Sequence, residues 1–185
     1  MQINGGWLDA AQQQVSPNCD DRPAGAISLI VIHGISLPAG HFGSRYVHDL
    51  FLNQLNLAAH PDFHDLRDVC VSSHLLIRRD GHIEQFVPFD KRAWHAGVSS
   101  FQGRPVCNDY SVGIELEGTD KSGYRPEQYR QLARVCQCMM AQWQIPMAHI
   151  VGHSDIAPGR KTDPGEAFDW SGFRTTLAKL VAQAV

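Results

Sequence analysis

No run of apolar residues in this chain approaches the ~18 needed to cross a bilayer, so no membrane span is expected. Positive charge is not in excess either. The 16 Lys and Arg stand against 19 Asp and Glu, a formal net charge of −3, which gives no electrostatic case for binding nucleic acid or an anionic membrane. The start, Met1 Gln2 Ile3 Asn4 Gly5 Gly6 Trp7, has neither a basic segment nor an apolar stretch, and does not read as a signal peptide. Cysteine is sparse, at Cys19, Cys70, Cys107, Cys136 and Cys138. An odd number at irregular spacing fits reduced thiols in a cytoplasm better than a disulfide framework. Cys136 and Cys138, two apart in a helical pattern, face away from each other and are not a metal pair. Internal repeats, low-complexity stretches and linkers are also lacking.

What is present fits one domain over residues 1–185, long enough for a sizeable core. Ten histidines are more than such a chain usually carries, and they raise the expectation of a metal site. Residues 1–25 are polar and turn-rich, and read as an irregular arm. Ala26 to His33 is a nearly continuous apolar run, as in a strand buried on both faces, and it ends at a histidine. Ser44 is a candidate cap for a helix running to about Leu57. Cys70 to Ile77 and Ile83 to Val87 read as strands joined by the turn Arg79 Asp80 Gly81 His82. His74 falls inside the first of these and reads as a packed histidine. Trp94 and His95 stand in a small-residue loop suited either to the wall of a sugar or peptide cleft or to a core plug.

Tyr110 to Gly118 is the second central strand. Alternation places Val112, Ile114 and Leu116 on one face, with Gly113, Glu115 and Glu117 on the other. A carboxylate between Ile114 and Leu116 is costly to bury unpaired, so Glu115 reads as a functional acid. Glu117, nearer the strand end, reads as solvated. Pro126 opens a helix to about Trp143. A short strand, Ala148 to Gly152, then delivers His153 into a loop in which Pro158, Gly159, Pro164 and Gly165 oppose regular structure. A last helix follows Asp169, its candidate N-cap.

Two strand-end histidines, His33 and His153, with Asp163 make a set suited to Zn²⁺ with three protein ligands and one position open to water. Glu115 would then handle the proton, and Lys161 would face an oxyanion. The reaction class that follows is amide hydrolysis.

His33 at its strand end, Trp94-His95-Ala96-Gly97, Asn108-Asp109, Gly113-Ile114-Glu115-Leu116-Glu117-Gly118, and Gly152-His153 through Lys161-Thr162-Asp163-Pro164-Gly165 resemble the zinc N-acetylmuramoyl-L-alanine amidases. The likeness runs in order from about Gly6 to Phe173. It implies an α/β fold, a mixed β-sheet flanked by helices, shared with phage amidases and peptidoglycan recognition proteins. It also implies one zinc ion per chain on His33, His153 and Asp163, with catalytic Glu115 and Lys161. Trp94 and His95 would border the saccharide, and Arg160 would hold peptide carboxylates. The implied substrate is a small muropeptide, cleaved between the lactyl group of 1,6-anhydro-N-acetylmuramic acid and L-alanine. The implied setting is cytoplasmic peptidoglycan recycling by a monomer, which would limit inducers of β-lactamase. A non-catalytic muropeptide receptor and an amidase of intact cell wall are the competing readings. Gly34, Cys70 and Val106 depart from the family pattern, and the last two are expected to weaken attraction to an acidic stem peptide.

Overall fold

The computed structural model describes every residue except Ala24, Ala26, Ala184 and Val185. The expected first residue of the first long strand, Ala26, and part of the expected arm therefore lie outside the described residues. Six strands make the principal sheet: β1 (Gln12–Gln13), β2 (Leu29–Ile35), β3 (Leu75–Ile77), β4 (Ile83–Gln85), β5 (Ser111–Glu117) and β6 (Ile150–Gly152). Their spatial order is β6-β2-β5-β3-β4-β1. Only the β3–β4 hairpin is antiparallel, so the sheet is mixed. The hairpin closes over the Asp80-Gly81 turn, with Gly81 N donating to Arg78 O at 2.9 Å. Strand β1 belongs to the stretch expected to be irregular. It adds an edge to the sheet by pairing with β4, and other short ribbons follow it in the arm.

Strands β2 and β5 are buried along nearly their whole length because both faces of the sheet are covered. On one face Ile30, Ile32, Val112, Ile114 and Leu116 pack against α2 (Pro126–Trp143) and α4 (Trp170–Gln183). Helix α2 begins at Pro126 as expected, and the Gln128 side chain accepts from the Arg125 amide at 3.0 Å. Gln128 also donates to the carbonyls of Ile77 and Glu117, tying the helix start to two strand ends. Asp169 caps α4 as expected, its Oδ1 accepting from Gly172 N at 2.9 Å. Leu132 is wholly buried in this layer. Leu132→Ala should lower unfolding free energy by about 2–5 kcal/mol, measured by urea titration, with no change in the geometry of the opposite face.

That opposite face carries Leu29, Val31 and His33 of β2 beside Gly113, Glu115 and Glu117 of β5. The helix here is shorter than expected. α1 spans Tyr46–Phe51, and the chain then turns through Asn53 at φ 57°, whose side chain pairs with Asn18. Strand β3 likewise covers only the last part of the expected Cys70–Ile77 segment. Glu117 is not solvated. It is 2% exposed, accepting from Gly43 N at 2.5 Å and Arg79 N at 3.2 Å, with Arg78 Nη1 at 3.7 Å.

Candidate active site

The parallel pairing of β2 and β5 places His33 directly beside Glu115, and in parallel strands such neighbours share a face. On the other side Gly152 pairs with Ile32, so His153, the next residue, emerges beside His33. These are carboxyl ends of parallel strands, where open α/β sheets place their ligands. His153 opens a single helical turn, α3 (His153–Ile156), before Pro158, a short element that the Pro- and Gly-rich loop was not expected to hold. The loop then folds back. Ser154 N donates to Asp163 O at 3.0 Å, and Arg160 and Lys161 amides both reach Ala157 O. Gly165 closes the return at φ 83°, and a Cβ there would lie 2.1 Å from the Asp120 backbone, so only glycine fits.

The result is a convergence of three lone-pair donors. His33 Nδ1 lies 2.9 Å from His153 Nδ1 and 3.2 Å from Asp163 Oδ2, and His153 Nδ1 lies 3.1 Å from that same oxygen. Two imidazole nitrogens and a carboxylate oxygen held this closely form a donor set that a cation between them would satisfy. The three edges are near the ~3.3 Å expected between ligands about 2.0–2.1 Å from a tetrahedral metal. These residues could therefore hold a metal ion. The far ring nitrogens fit the same conclusion. His153 Nε2 meets the Ala96 carbonyl at 3.2 Å and His33 Nε2 meets His95 Nδ1 at 2.9 Å, which leaves both Nδ1 atoms free to ligate.

Burial pushes the His33 imidazole down to about 4, against the opposing hydrogen bond to Asp163, so it is neutral at ordinary pH. Burial alone would raise Asp163, but the adjoining imidazoles of His153 and His33 hold it below the usual carboxylate range. Glu115 behaves differently. Its Oε1 stands 4.0 Å from His33 Nδ1, and its Oε2 is buried with no hydrogen-bond partner among the described residues. Desolvation, and secondarily the Asp163 charge, raises its carboxyl well above the ordinary value, with Lys161 opposing. A carboxyl that holds its proton readily, with one oxygen unspent, suits a group that must take up and return a proton.

The cleft over this group measures about 210 Å³ and is bordered by Trp94, His95, Glu115 and Lys161 as well as the three ligand candidates. Trp94 is half-buried and borders the cleft, so it is not a core plug. A larger groove of about 630 Å³, between Met1–Asn4 and α2, touches none of these residues. Arg160, expected to hold peptide carboxylates, does not border the cleft. Its Nη2 donates instead to the carbonyls of Ala96 and Val98, at 2.6 and 2.7 Å, and so clasps the Trp94–Gly97 loop. Asn108 Oδ1 secures that loop from below by accepting from the amides of His95 and Ala96. His74 is the packed histidine expected, accepting from Gly113 N. Of the departures, Gly34 lines the cleft, whereas Cys70 is exposed and Val106 sits in a left-handed turn, and neither borders it.

Residues 23–166 match the family described as N-acetylmuramoyl-L-alanine amidase (Amidase_2). The chain belongs to that family. Among its relatives is the 1,6-anhydro-N-acetylmuramyl-L-alanine amidase AmpD of Escherichia coli K12, 51% identical over 97% of this chain and 98% of the relative. A crystal structure of an AmpD derivative, 50% identical, superposes with a TM-score of 0.93 over 96% of this chain and 99% of that one. The E. coli amidase AmiD in complex with anhydro-N-acetylmuramic acid-L-Ala-D-γ-Glu-L-Lys superposes at 0.61 and 32% identity, covering 81% of this chain and 57% of AmiD. For an amidase of this family, the meeting of His33, His153, Asp163 and Glu115 on one sheet face is the arrangement that the sequence motifs implied. Asn108, Ala96 and Ser111, the groups beneath the ligands, were not singled out individually. The one local sign was Gly113 inside a central strand, where glycine marks a close approach.

Proposed function

We propose that this amidase hydrolyses the lactyl–L-alanine amide of 1,6-anhydro-N-acetylmuramoyl peptides, with one Zn²⁺ held by His33, His153 and Asp163. The observation that carries the reading is the three-donor group standing within reach of a buried carboxyl whose second oxygen has no partner among the described residues. Zinc bound there would polarise the scissile carbonyl and lower the pKa of a water to about 7. Glu115 takes the proton from the attacking water and returns it to the departing L-alanine nitrogen, so the leaving group departs as a neutral amine. Lys161, exposed at the rim of the same cleft, offers its ammonium to the oxyanion that forms on the carbonyl. Trp94 gives the sugar ring an apolar wall.

A neighbouring cavity of about 410 Å³ shares Gly34 and Ile35 with the cleft, which suits a substrate extended on both sides of the cut bond. One chain supplies every group of this chemistry, so a monomer would suffice for it. None of the helices among the described residues is long and apolar enough to cross a membrane. The proposed place of action is the cytoplasm, in peptidoglycan recycling, where turnover would lower the muropeptides that induce β-lactamase.

The test is to incubate purified protein with 1,6-anhydro-N-acetylmuramoyl tripeptide and identify products by mass. Free anhydro-sugar acid and intact peptide are expected, with loss of both after chelation and recovery on adding zinc. Faster release from polymeric sacculi than from soluble substrate would move the assignment to a wall amidase. Zinc binding without turnover would move it to a receptor.

A further inference from the structure

The three ligand candidates leave one histidine of the cleft without a chemical task. His95 was expected to border the saccharide, yet both of its ring nitrogens point into the protein. Nδ1 lies 2.9 Å from His33 Nε2, and Nε2 lies 3.0 Å from Ser111 Oγ. The ring stands edge-on to His33, with centroids 5.0 Å apart and planes at 89°. It is accommodated by an omission in β5. A Cβ at Gly113 would fall 2.5 Å from His95 Cγ and 2.6 Å from its Nδ1, inside any permitted contact. Alternate residues of one strand face thus read Ser111, Gly113, Glu115: an acceptor for His95, space for its ring, and the proton-carrying acid.

We propose that His95 is a positioning residue, which with Ser111 fixes the tautomer and ring angle in which His33 offers its Nδ1 lone pair to the metal. The inference rests on the metal reading above and deepens it. A neutral imidazole that ligates through Nδ1 carries its proton on Nε2, so His33 donates to His95. His95 Nδ1 therefore accepts, its own proton sits on Nε2, and Ser111 Oγ receives it. With His33 Nδ1 committed to the metal, this is the direction in which both imidazole protons meet an acceptor. His153 is fixed in the same sense by the Ala96 carbonyl, so adjacent residues of one loop orient both ligating rings.

Zinc affinity, measured by competition with a chromophoric chelator, separates this role from contact with the sugar. His95→Leu should weaken zinc binding about 10–100-fold, the usual cost of losing such a partner. His95→Asn, whose Oδ1 can accept in place of Nδ1, should recover most of it, and Ser111→Ala should fall between. In the zinc-loaded wild type, long-range ¹H–¹⁵N spectra should find the proton of His95 on Nε2. That spectrum needs no variant and decides the matter even should His95→Leu not fold. Unchanged zinc affinity in His95→Leu, with only KM raised, would overturn the proposal in favour of saccharide contact, as would a proton on His95 Nδ1. Failure of the wild type itself to bind zinc would instead remove the metal reading, and this inference with it.

Discussion

Glu115→Gln is expected to cut turnover of anhydro-muropeptide by about 10²–10⁴-fold, the range for loss of a positioned acid–base group, while zinc content stays at one per chain. Gln keeps the shape and removes only the ability to carry a proton. The replacement removes no ligand atom, and Oε1 is 4.0 Å from His33 Nδ1. Elemental analysis beside kcat measures both halves, and a wild-type rate would dismiss Glu115 from the mechanism. A second consequence is read without substrate. The folded carboxyl of Glu115 is raised above its ordinary value of 4.5. Its contribution to stability is therefore fully present below the unfolded pKa and is lost as pH rises through the folded one. Metal-free wild type should lose Tm as pH climbs above the ordinary carboxylate range, and metal-free Glu115→Gln should lose less.

His153→Ala should lose metal and activity together. It removes one of three ligands, so zinc affinity should fall by more than the about 10–100-fold that a lost supporting partner costs. A thermal scan gives an independent measure. Ligand bound only by the native state stabilises it by RT ln(1 + [L]/Kd), roughly 4 kcal/mol when zinc stands at a thousand times Kd. Wild type should therefore gain Tm on adding zinc, and His153→Ala should gain little. The variant should still fold, because Ala96 O keeps its bond from Arg160 when the imidazole is gone. Undiminished zinc content would refute the assignment of His153.

The parts of the site readable from sequence were those with a local cause. His33 closes a run of β-branched and apolar residues, though the strand runs on to Ile35, and Glu115 interrupts another, so the local pattern draws attention to both. Pro126 and Asp169 announce their helices for the same kind of reason. Residues whose placement depends on distant partners were misread. Glu117 looks solvated until the Arg78-Arg79 hairpin and the Gly43 amide close around it. Nor does any local pattern show that Arg160 donates to the carbonyls of Ala96 and Val98, more than 60 positions away. The helix after Ser44 stops at Phe51, and Asn53 beyond it pairs with Asn18, 35 positions away. No local pattern carries such pairings.

The two-residue rhythm of the central strand has a consequence for how errors in assembly are punished. Sliding β5 by a single position against β2 would swap its sides. Ile114 would then project toward the imidazoles, and the acid would be driven into the oily layer under α2. A chain paired that way would lack both its solvent-excluded packing and its chemistry. Register thus couples packing to chemistry: the pairing that buries Ile114 is also the one that presents Glu115.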